Sequence, residues 1–240
     1  GRADLAVHSA KDLPAELPPG LALVAFPERA DPRDALVARE RGASLADLRR
    51  GARVGTGSAR RAALLLARRP DLEIVPLRGN VPTRLRRLES DGLDAVILAC
   101  AGLDRLGLGD RIDERLAPEI LLPAVGQGTL AVEARREDAL AREAGAITHA
   151  DTADCLRAER AVLTRLHADC NVPLAAHAEL AAGRLRLRAR LAAPDGGRLF
   201  SAEVEGDRED AVALGTEAAE RLLGAGGEAL LAELRAGSRA

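Results

Sequence analysis

The chain reads as an α/β protein whose last third is a smaller, separate α+β unit, and three observations predict this. Through the first half, short apolar runs alternate with helical segments, as in β-α-β units that build a mainly parallel sheet covered by helices. After Asp151 the pattern changes to one amphipathic helix, three closely spaced strands and two closing helices. Between the two regions, AVGQGTLAVEARRED follows Pro123 and sets glycines ahead of a Val-rich run, as a hinge entering another strand does. At 240 residues the chain exceeds a typical single core, so two or three compact units are expected.

In order, strands are expected at Leu5 to Val7, Leu21 to Phe26, Ala35 to Ala38, around Val54, at Ile74 to Leu77 and at Ala95 to Ala99. Helices start at Ser58 and Val81. The later region gives a helix to about Leu166 and strands at Ala176 to Leu180, Leu185 to Leu191 and Arg198 to Val204. Ala182-Gly183 and Asp195-Gly196-Gly197 fit the hairpin turns between those strands. Helices over Glu209 to Leu223 and Glu228 to Leu234 then cover one face of that sheet. The chain begins at Gly1, has no Met and enters a strand almost at once, so it is expected to be a fragment.

Charged residues make up 30% of the chain but nearly cancel, leaving a net charge of -2, which argues against a general nucleic-acid or membrane surface. Any basic site must be local. Aromatic residues are 1%, Phe26 and Phe200 alone, too few for base-stacking platforms. With no membrane-length apolar run and no leader pattern, a soluble, cytoplasmic protein is expected. Three cysteines without a C-x-x-C pair speak against a disulfide framework. Cys100 and Cys155 fall on apolar segments as core thiols, whereas Cys170, in the polar turn LHADCNVPLAAH, is a candidate for covalent chemistry. Zinc held by His167, Cys170 and His177 lacks a fourth ligand and a standard spacing.

Three strand-to-helix junctions carry arginine. In VGTGSARRAALLL, Arg60 and Arg61 sit in the first helical turn near Thr56 and Ser58, where the helix dipole disfavours cations unless something negative lies between. An anionic ligand would supply that charge; two solvated arginines are the plain alternative. LRGNVPTRLRRL repeats the arrangement with Arg78 and Arg84, and ACAGLDRLGLG adds Arg105. Ligands of parallel sheets bind at the carboxyl ends of the strands, and several guanidinium forks suit several carboxylates better than one phosphate. In ADLAVHSAKDLP, His8, Ser9, Lys11 and Asp12 end a strand just before a turn. Lys11 is the only lysine among 35 basic residues, a sign that an amine is needed there. Asp12 can stabilise a developing cation or move a proton, or it can simply cap a turn; His8 fits a hydrogen-bonded structural role.

Taken together, AVHSAKDLP, DPRDALV, VGTGSARR, LRGNVPTRL, ACAGLDRLGL, LPAVGQGTLAVE and ADCNVPLAAH resemble hydroxymethylbilane synthases, also called porphobilinogen deaminases. The resemblance implies two lobes like type II periplasmic binding proteins plus a small C-terminal α+β domain. These are expected at 1–28 with 128–147, at 33–123 and at 150–240. It implies a dipyrromethane cofactor joined to Cys170, onto which four porphobilinogen units are condensed with loss of ammonia before the linear tetrapyrrole is released by hydrolysis. Asp12 matches the catalytic aspartate. Lys11, Ser9, Ser58, Arg60, Arg61, Arg78 and Arg84 match cofactor contacts, and Arg78, Arg84 and Arg105 match substrate contacts. No metal, nucleic acid or membrane is implied, and a monomer is. The family's T-R-x-S-x-L-A-x-x-Q stretch is expected to be missing ahead of Gly1, which leaves the activity of this portion alone open. Gly57, Pro82 and Asn171 depart from the family's common Ser, Gly and Gln without removing a charge. The competing reading is a non-catalytic binding module for small carboxylates, which explains the arginines but not Cys170.

Overall fold

A computed structural model describes residues 3–169 and 171–237. Three sheets organise them. In the first, β1 (Leu5–Ser9) and β2 (Leu21–Ala25) both pair antiparallel with β8 (Leu130–Arg135), which lies between them. The second sheet contains β3 (Asp34–Ala38), β4 (Arg53–Thr56), β5 (Glu73–Pro76), β6 (Ala95–Ala99) and β7 (Glu114–Leu116). Its order is β5-β4-β6-β3-β7. The chain therefore leaves the first sheet after β2, builds the whole second sheet, and returns for β8.

The expected mainly parallel sheet is mixed. β4 runs parallel to β5 and β6, but β3 is antiparallel to both β6 and β7. The reason lies in the connections. Helices α1 (Ala59–Arg68) and α2 (Val81–Ser90) provide the crossovers that parallel neighbours need, whereas β3 arrives from the other sheet. The three parallel strands consequently point their carboxyl ends, and the loops that follow, to one edge.

Side-chain alternation divides the core of this sheet into two layers. Leu36, Val54 and Ile97 pack with Leu64 and Leu65 of α1, and Val37, Val96 and Leu98 pack with Leu85 and Leu88 of α2 and Leu103 of α3 (Cys100–Arg105). Ser58 caps α1 by accepting a hydrogen bond from the Arg61 backbone N–H, and Asn80 caps α2 through that of Thr83. After β8 come α4 (Ala139–Gly145) and the long α5 (Ala150–Leu166). The third sheet is the antiparallel meander β9 (Leu174–Ala181), β10 (Arg184–Ala192) and β11 (Leu199–Asp207). It packs with α5, α6 (Ala211–Leu222) and α7 (Glu228–Gly237) around Val162, Leu187 and Leu222.

The two crossing segments, 26–33 and 117–129, touch each other. The Ala30 N–H donates to the Gly128 carbonyl, and a Cβ at residue 128 would lie 2.4 Å from the Ala30 oxygen. With φ at +88°, Gly128 is the residue type this approach allows.

Candidate active site

Ser9 closes β1, and Lys11 and Asp12 lie in the single 3-10 turn Ala10–Asp12 that follows. The Ala10 N–H donates to the Thr129 carbonyl, which holds the turn against the hinge segment. Asp12 is exposed, whereas Lys11 is half-buried. Burial first, then repulsion from Arg61, brings the Lys11 amine down to about 8, against the attraction of Asp12 and Asp34. Arg60 and Arg61, on α1 of the second sheet, are thus near enough to this turn to repel its amine. His8 donates from Nε2 to the Glu133 carboxylate at 2.8 Å and is a structural, hydrogen-bonded histidine.

The arginine pair differs from the sequence expectation. Arg60 and Arg61 are each only 4% exposed, and the negative charge between them is supplied by Asp34, which is fully buried. Arg60 grips Asp34 with Nη1 at 2.8 Å and Nη2 at 3.1 Å and also donates to the Leu122 carbonyl. Arg61 donates from Nε to Asp34 at 2.8 Å, from Nη1 to the Ile97 carbonyl and from Nη2 to Gln127 Oε1. Burial raises the pKa of Asp34, but Arg60 and Arg61 outweigh it and hold the carboxyl at about 2. The need for an anion was correctly inferred from the helix dipole; its source is the first residue of β3.

The remaining cations lie along the same edge. Ser58 and Arg78 follow β4 and β5, whose last residues Thr56 and Pro76 are in register. Arg84 donates from Nε to the Gly79 carbonyl and is close enough to Arg61 to repel its charge. Arg78 is exposed. Arg105 reaches across to the hinge, donating to the Gly128 carbonyl at 2.8 Å. The structure thus gathers Lys11, Asp12, Arg60, Arg61 and Arg84. It sets Arg78 on the same sheet edge and Arg105 against the hinge. A separate groove of about 580 Å³ between β2, α5 and α6, lined by Leu23, Phe26, Arg160 and Val212, contains none of these residues.

Cys170 lies outside the described residues. Asp169 and Asn171, between α5 and β9, are exposed, and the Asn171 N–H donates to Asp169 Oδ1. Cys100 and Cys155 are buried, and burial pushes their thiols up to about 12 and about 11, so neither is poised as a nucleophile. Among the described residues no group of His, Cys, Asp and Glu could hold a metal ion.

Sequence reasoning also missed a fully buried carboxylate on α5. Glu159 of α5 is 0% exposed and accepts from Arg29 Nη1 at 2.7 Å and from the backbone N–H groups of Gly126 and Ala178. Arg29 also donates from Nε to the Gln127 carbonyl. One α5 side chain therefore holds both crossing segments. The signal was present as Cys155, Glu159 and Val162, a charged residue at helical spacing within an apolar stripe.

Residues 1–143 match the family model described as porphobilinogen deaminase, dipyromethane cofactor binding domain, and residues 153–224 match that of the porphobilinogen deaminase C-terminal domain. A porphobilinogen deaminase of Trichlorobacter lovleyi is 49% identical over 235 residues, covering 98% of this chain and 75% of that protein. One from Pelobacter propionicus is 50% identical with the same coverage, and one from Roseiflexus sp. is 52% identical over 97% of this chain and 76% of its own length. The two α/β sheets fall within the first of these matches and the antiparallel meander within the second, so the fold class agrees with the family's division into a cofactor-binding part and a C-terminal domain. Motifs, fold and relatives agree: this chain belongs to the porphobilinogen deaminase family.

Proposed function

We propose that the chain acts as a hydroxymethylbilane synthase, condensing four porphobilinogen units head to tail with loss of ammonia and releasing the linear tetrapyrrole by hydrolysis. The observation that carries this reading is the exposed carboxylate of Asp12 set beside Lys11 and the arginine-lined strand edge, in a member of this family. Each pyrrole of the substrate carries an acetate and a propionate, so a growing chain multiplies negative charge and requires spread cations. Arg78, Arg84 and Arg105 take carboxylates of the incoming unit, while Lys11, Ser9, Ser58, Arg60, Arg61, Arg78 and Arg84 serve the cofactor. Asp12 faces the pyrrole N–H and stabilises the positive charge that develops as ammonia leaves, the electrostatic contribution that usually dominates such steps.

The family's dipyrromethane fits the residues present: it is polyanionic, and this strand edge has cations on three loops. When bound, dipyrromethane supplies the pyrrole carbon that is extended and the anchor that retains the product. Cys170 is the attachment point in this proposal. The three sheets support a division into 1–28 with 128–147, 33–123 and 150–240. A cytoplasmic monomer without nucleic-acid or membrane partners accords with the near-neutral charge, and no helix among the described residues is long and apolar enough to cross a membrane.

The test is incubation of the protein with porphobilinogen, following ammonia release and the linear tetrapyrrole together. A synthase yields both. A carboxylate-binding module binds porphobilinogen and releases neither, which would overturn the proposal.

A further inference from the structure

The donors of Arg61 are almost fully committed inside the protein. Nε and Nη2 meet Asp34, Nη1 meets the Ile97 carbonyl, and Nη2 also meets Gln127. Gln127 is itself fixed, since its amide donates to the Pro32 carbonyl at 2.7 Å and to Asp34 Oδ1 at 3.0 Å. Asp34, Arg61, Ile97 and Gln127 are each at most 4% exposed. Arg60 and Arg61 come from the second sheet's α1, Asp34 begins β3 where the chain has just crossed, and Gln127 lies on the returning segment. The cluster therefore joins the arginines to both crossing segments. Two guanidinium groups against one carboxylate leave an excess positive charge, near enough to Lys11 to oppose its protonation and near enough to Arg84 to repel it.

We propose that Asp34 and Gln127 are positioning residues that lock Arg60 and Arg61 into a buried cationic floor under Lys11, so that the floor acts on the bound pyrrole chain through Lys11 and the local field. The inference rests on the proposed synthase function, because it names how that site is held. Without the lock, Arg61 has no fixed partner on the hinge side and swings away from the amine. Asp34 sets the charge balance and Gln127 sets the direction of Arg61. An Arg61 contributing only to stability would leave the Lys11 amine unaffected by Gln127.

Because Lys11 is the only lysine, it is a unique reporter. Reductive methylation with isotopic carbon labels its amine, and an NMR titration reads that amine's pKa separately from the chain terminus. In Gln127→Met, which keeps Asp34 and both arginines, the Lys11 pKa is expected to rise from about 8 toward the ordinary lysine value. KM for porphobilinogen is expected to rise roughly tenfold, the size expected for losing hydrogen bonds to a charged group, with kcat changed less. An unchanged Lys11 pKa in a Gln127→Met protein that melts like the parent overturns the proposal. Asp34→Asn serves as the stronger variant. If it folds, loss of the charge alone lowers the Lys11 pKa, whereas release of Arg61 raises it, and only the rise supports positioning. A parent protein that turns over no porphobilinogen indicts the function instead, while the NMR titration still decides the lock.

Discussion

Replacing Glu159 by Gln removes one charge at constant size from a buried carboxylate that ties α5 to both crossing segments. In the parent, its two oxygens meet Arg29 at 2.7 and 3.3 Å, the Gly126 N–H at 2.7 Å and the Ala178 N–H at 2.8 Å, with His177 at 3.5 Å. An amide offers one acceptor where the carboxylate offers two, and its NH2 group turns a donor toward Arg29 or a backbone N–H. Breaking a buried pair by removing one partner costs about 3–5 kcal/mol. For a chain of this size each kcal/mol lowers Tm by about 2–4 °C, so the variant should melt about 6–20 °C below the parent by calorimetry. Glu220→Gln is the control: its pair with Arg165 is exposed, with side chains 51% and 43% accessible. That change should cost under about 1 kcal/mol. A Glu159→Gln melt within about 2 °C of the parent would refute the claim that this side chain holds the two crossing segments together.

Three further outcomes follow from the same geometry. Asp12→Asn should retain the cofactor, judged by intact mass, while turnover falls by about 100-fold or more for loss of transition-state electrostatics; near-parental turnover removes Asp12 from that role. Gly215→Ala should destabilise by about 1–3 kcal/mol through overpacking, because the new Cβ would lie 2.2 Å from the Ala158 oxygen across the α5–α6 contact; an unchanged denaturation midpoint contradicts that packing. Acid should weaken the fold through Asp34 and Glu159, both held at about 2 against ordinary values of 3.8 and 4.5. Between those limits the unfolded chain binds more protons than the folded one, so their stabilisation, present above about pH 4.5, is lost as pH falls toward 2. Calorimetry across that window should show Tm falling steadily, and a flat profile excludes these carboxylates as the cause.

Much of the architecture was legible because apolar period and punctuation agreed. Ala95 to Ala99 was expected as a strand and is one, and Ser58 and Asn80 cap the two helices their positions suggested. Strand direction was not legible for β3, because an apolar run carries no sign of its sense and the neighbour was assumed to follow a helical crossover. Asp34 was missed for a related reason: DPRDALV was read as a strand from Ala35, which left its first buried residue outside. A buried aspartate must find cations, and Arg60 and Arg61 needed an anion. Each was half of an answer separated by 26 residues of sequence. Glu159 escaped notice because helical spacing marks a face as buried without saying that a charge there is paired.

Dipyrromethane carried on Cys170 and extended at Asp12 is the core of the proposed function. Its most direct test is the intact mass of the folded protein after exposure to porphobilinogen, followed by the mass of the peptide containing Cys170. Two pyrrole units are expected on that peptide and none on the peptides of Cys100 or Cys155. A folded protein that releases tetrapyrrole while the Cys170 peptide stays unmodified, or bears its adduct on another thiol, would contradict it.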